Sequence, residues 1–235
     1  MAPILRQLLC LWTGIVLLAW PALLPAEEYS GKSLFTETKT QDSGGITLSL
    51  AEGTPKLRLA GAFARKSGNY YAAKISADSR TLTWQHLPVD IYDLVLASEQ
   101  TFYEGLRLAR QPDAALAEAE RPAITKEVTA IEGFFDHKRV ERLEIEGEVA
   151  MTLVQQWRSG VALKQSGDQV KGYIHSYDVI WFERPVKGWQ LLKRRQLYRA
   201  ELDRVEPISH RFVGGLSGLR VTSGVNAVGP ISLSD

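Results

Sequence analysis

Four histidines, two closely spaced aspartates, two short glycine-serine motifs, a basic stretch and one aromatic strand are the places where this chain could do chemistry. His86, His137, His175 and His210 lie far apart, with no His-x-His, no His-x-x-x-His and no cysteine beside them, so a local metal site has no ligand spacing to use. Within "HSYD", His175 and Asp178 are three residues apart, which on a strand puts them on opposite faces, where they cannot share an ion. No metal site and no cofactor motif is expected. "SGKS" at 30–33 lacks the glycine that a phosphate-binding loop needs five positions before Gly31, where Ala26 stands. "GGLSG" at 214–218 is no nucleophile elbow, because Leu219 replaces the second glycine around Ser217. The residues therefore predict no catalytic constellation.

Three stretches remain. "LPVDIYDLVLAS" (87–98) holds Asp90 and Asp93, which as an acid–base pair would have to converge on one cavity with displaced pKa values. At a turn leading into a strand, Asp90 is expected to satisfy turn amides and Asp93 to point to solvent. "KRRQLYR" (193–199) puts Lys193, Arg195, Leu197 and Arg199 on one strand face and Arg194, Gln196 and Tyr198 on the other. It reads as a solvated face balanced by the acidic "ERLEIEGE" segment, although basic residues with aromatics can also contact an anionic polymer. In the strand 173–182, Tyr173, His175, Tyr177, Val179 and Trp181 alternate onto one face. Aromatics with polar tips suit a ligand pocket or a partner surface as well as a half-buried sheet, which makes Tyr173, His175, Tyr177 and Trp181 the candidate binding residues. The enzymatic alternative uses His175 or Asp178 as a base in a pocket of the same region.

The elements that must position these residues are mostly strands. Six short β patterns run from Ile46 to Leu108: 46–50, 57–64, 70–76, 80–84, 91–97 and 102–108, separated by Gly, Pro, Asp, Ser or Asn. Their spacing predicts an antiparallel sandwich over 46–108. Residues 109–123, with two prolines, read as a linker with at most one helical turn. Apolar residues at 124, 128, 131 and 134–135 predict a helix ending near His137. Long strands are expected at 142–158, 173–184 and 189–202, with "PVKG" as a tight hairpin, so 124–205 reads as an α+β domain. Residues 206–235 read as a glycine-containing tail with one short strand. The fold class is therefore mostly β: a sandwich followed by one main helix and a long-stranded antiparallel sheet.

The N-terminus gives an address. Arg6, the apolar run Leu8–Leu24 and Ala26 before Glu27-Glu28 describe a cleaved signal peptide over 1–26, in place of an anchor interrupted at Gly14 and Pro21. Cys10 has most of the apolar run after it and Leu9 before it, so it is no lipidation site. Residues 27–45 read as a flexible segment. Removing the leader takes Arg6 and Cys10 with it, leaving 27 basic against 27 acidic residues and no cysteine. A neutral, cysteine-free mature chain has neither disulfides nor a global field that would draw nucleic acid or anionic membrane. No nucleic-acid partner and no membrane span after cleavage are expected, and the location is periplasmic or secreted.

Two resemblances extend this reading. "DSRTLTWQHLPVDIYDLVLA" (78–97) resembles the hairpin of carboxypeptidase-regulatory and transthyretin-like sandwiches, with Leu-Pro, a turn, Tyr and an alternating strand; Asp90 stands where that family usually has glycine. The resemblance implies a non-catalytic accessory or binding module. "VIWFERPVKGWQLLKRRQLYR" more loosely resembles the nuclear-transport-factor-type cone, a helix packed in a curved sheet, which hosts enzymes and binders alike. "FYEGLRL" and "FFDHKRVERLE" resemble segments of exported bacterial proteins of no defined activity. Together these favour an exported binding or assembly protein acting on a protein or envelope component through sheet faces or edges. The other readings are an enzyme or small-ligand binder with a pocket in the α+β domain, and a structural spacer.

Overall fold

The period-two patterns become three β-sheets. A computed structural model describes residues 43–165, 168–202 and 208–233, all within one compact unit. The expected leader, "SGKS" and most of the flexible segment lie outside the described residues. The first strands are β1 (Ser43–Leu50), β2 (Leu59–Ala64), β3 (Tyr70–Ala72), β4 (Lys74–Ile75), β5 (Thr81–Pro88), β6 (Asp90–Ala97) and β7 (Thr101–Glu104). One helix follows, α1 (Ala114–Ala130), then the long strands β8 (His137–Glu146), β9 (Val149–Gln165), β10 (Asp168–Glu183) and β11 (Gln190–Leu202). The chain ends with β12 (Ser209–Phe212), β13 (Leu219–Val221) and β14 (Gly224–Ile231). This is the mostly-β class with one main helix that the sequence predicts. No helix among the described residues is long and apolar enough to cross a membrane.

The outer sheet has the order β14-β1-β5-β4, and the middle sheet β12-β7-β6-β2-β3, with β13 paired to β6. Between them lies the sandwich core, with Leu48, Leu82, Trp84, Tyr92, Leu94 and Leu96 fully buried. Tyr92, Leu94 and Leu96 face inward as their alternation requires, and the Tyr92 hydroxyl donates to the Pro88 carbonyl at 2.8 Å, which fixes the corner. The long sheet, β11-β10-β9-β8, packs on the other side of the middle sheet through Val95, Phe102, Leu153, Tyr177 and Val179. Its far side carries α1, through Ile124, Val128, Val154, Ile180 and Phe182. The layers run outer sheet, middle sheet, long sheet, helix.

The C-terminal segment is not a tail. β12 pairs in parallel with β7, β13 antiparallel with β6, and β14 in parallel with β1, so three of its strands complete the sandwich. The α+β unit is thus an insertion between β7 and β12. The parallel pairings also make a mixed sandwich where a purely antiparallel one was expected. The fit is close: a Cβ on Gly105 would lie 2.4 Å from the Leu216 carbonyl carbon, so only glycine lets the returning chain settle there.

Three further expectations are corrected. The linker 109–123 is largely helical, because Asp113 caps α1 by accepting from the Leu116 N–H at 2.9 Å. Pro112 precedes that cap, and Pro122 lies on the exposed side, where its loss of a backbone donor leaves the Glu118 carbonyl free to meet water. The helix ends at Ala130, short of His137, where Ile131 turns extended and the Lys138 ammonium donates to the Thr129 and Ile131 carbonyls. Burial, with the nearby Arg194 cation, lowers the Lys138 pKa. The expected single strand 142–158 is two, folded back at Gly147, whose φ of 60° suits the tight turn.

If the C-terminal strands are part of the core, Leu216→Ala, at a fully buried position, lowers unfolding free energy by about 2–5 kcal/mol. Urea denaturation checks this; a loss below about 0.5 kcal/mol, as for a surface loop, would show the segment to be peripheral.

Candidate functional site

The aromatic strand β10 keeps the alternation read from its sequence, but both of its faces are covered. Tyr177 is fully buried between the sheets, stacked on Phe102 with ring centroids 4.2 Å apart, and its hydroxyl donates to the Ile208 carbonyl at 3.1 Å. Burial pushes its phenol far above the usual range. His175 is also fully buried, its ring stacked on half-buried Tyr173 and its backbone paired with Trp157. Tyr177 and His175 therefore line no surface. Asp178 is buried on the opposite face, against the side of α1, where it takes hydrogen bonds from Arg194 and Ser176. The two alternative bases, His175 and Asp178, thus lie on opposite faces of the sheet, as their spacing requires, and both are buried.

Trp181, the fourth candidate, is half-buried at the end of that face and opens onto a cleft. Its ring stacks with Phe63 of β2, centroids 6.4 Å apart and planes 20° from parallel, and the Lys193 Nζ lies 5.0 Å from its centroid. The cleft has a volume of about 800 Å³, within the range of roughly 300–1,000 Å³ typical of ligand pockets. It lies where the β2–β3 turn, the start of β6, the chain after β7 and the ends of β9, β10 and β11 meet. Apolar contact surface comes from Phe63, Ile91, Leu108, Met151, Trp181 and Leu192.

The cations are what sequence reasoning missed. Arg65, Lys66, Arg107, Arg110 and Lys193 all border the cleft, against the single carboxylate of Asp90. Arg65 is spent. Its Nε and Nη2 grip Asp93 at 3.0 and 2.7 Å. Asp93 also accepts from the Ser217 hydroxyl and from the Gly218 and Arg107 N–H groups at 3.0, 2.9 and 3.0 Å. Asp93 is thus fully buried, not directed to solvent as expected, because the middle sheet is covered on both sides. Asp90 does serve its turn, accepting from the Lys66 and Ile91 N–H groups at 3.3 and 2.7 Å. Ser217 of "GGLSG" is a clamp on Asp93 and Arg65, with no histidine in that network.

Lys66, Arg107, Arg110 and Lys193 have no carboxylate partner among the described residues. The acidic segment expected to balance the basic strand lies in and just after β8, at the opposite edge of the long sheet from β11. Its Glu141 and Glu144 pair with Arg139 and Arg142 of their own strand. A bulge at Leu197 also resets the expected faces of β11, placing Tyr198 opposite Tyr177 and burying Leu197 as well. The clue in the sequence was the pairing of "ARKSG" with "LRLAR", two basic turns at strand ends.

The remaining histidines are scattered. His137 stacks on Trp157 at 5.2 Å, His210 meets Glu104 at 3.1 Å, and His86 is exposed. No group of three metal-ligating side chains occurs among the described residues. Compared with known protein families, curated proteins and solved structures, the chain finds no match in any of the three.

Two outcomes are expected. Asp93→Asn leaves the Arg65 guanidinium without its counter-charge and lowers stability by about 3–5 kcal/mol in chemical denaturation, whereas an exposed aspartate would cost almost nothing. Burial also raises the Tyr70 pKa to about 12, and its buried hydroxyl has no hydrogen-bond partner among the described residues. The folded state therefore holds that proton more tightly than the unfolded chain. This contribution, up to about 2 kcal/mol, is intact below pH 10 and vanishes as pH climbs to 12. Tyr70→Phe moves the alkaline unfolding midpoint upward at little or no cost at pH 7, readable by circular dichroism.

Proposed function

We propose that this chain is an exported, non-catalytic binding protein of the cell envelope, which takes its ligand in the cleft where the sandwich meets the long sheet. The observation that carries the reading is the combination of an apolar floor around Trp181 and Phe63 with four cations that no carboxylate among the described residues neutralises. Leaving charges uncompensated beside apolar surface stabilises nothing in the free protein, whereas a bound partner uses both. Catalysis has less support. Among the described residues no histidine or cysteine lines the cleft, and its Asp90 is engaged with turn amides. His175 and Asp178 are both buried, on opposite faces. The sandwich resemblance, which implies an accessory or binding module, favours the same reading, and the basic, apolar and Ala26-Glu27 sequence of the N-terminus favours export.

The test uses protein purified from the envelope fraction of the cells that make it. The mature chain begins at Glu27 and carries a bound small molecule, seen as an added mass by native mass spectrometry. The surface double variant Leu192→Asp/Lys193→Glu keeps its thermal midpoint and loses that mass. A chain that starts at Met1 or fractionates outside the envelope would overturn the export. A wild-type protein with no bound mass, or a variant that retains it, would overturn the cleft and leave the spacer reading.

A further inference from the structure

The geometry points to a ligand class for this cleft: an anionic amphiphile, with a phosphate or carboxylate head and an alkyl chain. The inference rests on the cleft being the binding site and goes beyond it in specifying what binds. The head is argued from charge. A Cβ on Gly68 would lie 3.4 Å from the Lys193 Nζ, so the β2–β3 turn that carries Lys66 and the ammonium of Lys193 form one lip. On the chain after β7, the Arg107 side chain donates to the Ala109 and Arg110 carbonyls, from Nε at 3.4 Å and from Nη2 at 2.6 Å. That self-tied loop holds two further cations at the cleft with no carboxylate partner among the described residues. The long-range field is absent, since the mature chain is neutral, so the attraction acts only within the cleft.

The chain is argued from the floor. Ile91, Leu108, Met151 and Leu192 are aliphatic or thioether side chains, and Leu192 lines the cleft while about half exposed. The indole of Trp181 already stacks on Phe63 and has Lys193 over its ring, so the described lining residues offer no row of free π-faces on which successive nucleotide bases could stack. An alkyl chain needs only contact area, which this floor offers. Free fatty acids and lipid phosphates share this chemistry.

The mature protein is titrated by calorimetry with monomeric dodecyl phosphate, laurate, dodecyl maltoside and inorganic phosphate. Dodecyl phosphate and laurate bind saturably, the better of them marking which head is preferred. Dodecyl maltoside binds at least tenfold more weakly, and inorganic phosphate shows no saturable binding. Lys193→Ala and Arg110→Ala, both at surface positions, each weaken the anionic probe about five- to tenfold, and Lys193→Arg restores it, as loss and return of a partly exposed charge contact require. Equal affinity for dodecyl maltoside would overturn the anionic head while leaving the cleft a binding site. Equal affinity for inorganic phosphate would overturn the alkyl chain. Binding of neither alkyl probe, with the cleft-dependent bound mass still present in native protein, would overturn the amphiphile class but not the cleft. Tighter binding of an oligonucleotide in the same cleft would overturn it as well.

Discussion

Two carboxylates buried on one face of the middle sheet set the terms for everything around them. Asp93 on β6 and Glu104 on β7 both face the long sheet and both have no solvent exposure. Each must therefore collect cations or N–H donors from whatever packs above it. Asp93 collects Arg65 after β2, the Arg107 amide after β7, and Ser217 and Gly218 before β13. Glu104 collects Arg142 of β8 at 2.7 Å, the Leu106 amide at 2.6 Å and His210 of β12 at 3.1 Å. Against a well-packed apolar pair such ion pairs add little stability, but leaving either carboxylate unpartnered is costly. Their effect is selective: the sandwich, the inserted unit and the returning C-terminal strands must meet in one arrangement.

The cleft is a by-product of the same arrangement. Because Asp93 fixes Arg65 and the Arg107 backbone, the β2–β3 turn and the chain after β7 stand apart at a set distance, and Trp181 at the end of β10 supplies the floor between them. The cations around it come from the β2–β3 turn, the chain after β7 and β11, which are far apart in sequence. None of the turns would form a binding surface alone.

Local patterns in the sequence were reliable wherever one face of a strand met one core. Tyr92, Leu94 and Leu96, the "PVKG" hairpin and the two faces of β10 follow from period two. The failures arise where tertiary context changes what a residue needs or where a local signal is ambiguous. Asp93 looked like a surface residue because polar residues alternating with apolar ones normally face water, yet here the second face is a second core. The basic residues of β11 looked balanced by the acidic segment because the two belong to one domain, but sheet order separates β11 from β8 by two strands. Gly147 hid a hairpin inside an unbroken period-two run, and Pro112 and Pro122 concealed the first turns of a helix whose later residues Ile124 and Val128 were legible. Of the four aromatic-strand candidates, only Trp181 sits at the cleft, since alternation says which face a side chain occupies and not what covers it.

The insertion of the α+β unit between β7 and β12 also has a consequence in time. The contacts of β8–β11 are mostly with their sequence neighbours, so that sheet and its helix can organise as soon as residue 202 exists. The sandwich cannot. Its core includes Leu216, Val221 and Leu233, and β1 waits for β14 across some 180 residues. Sequence separation therefore favours early formation of the inserted unit, while β1, which can already pair with β5, gains its second neighbour only once β14 is present. Until then β1 presents an unpaired edge, so mispairing threatens most before β14 has formed.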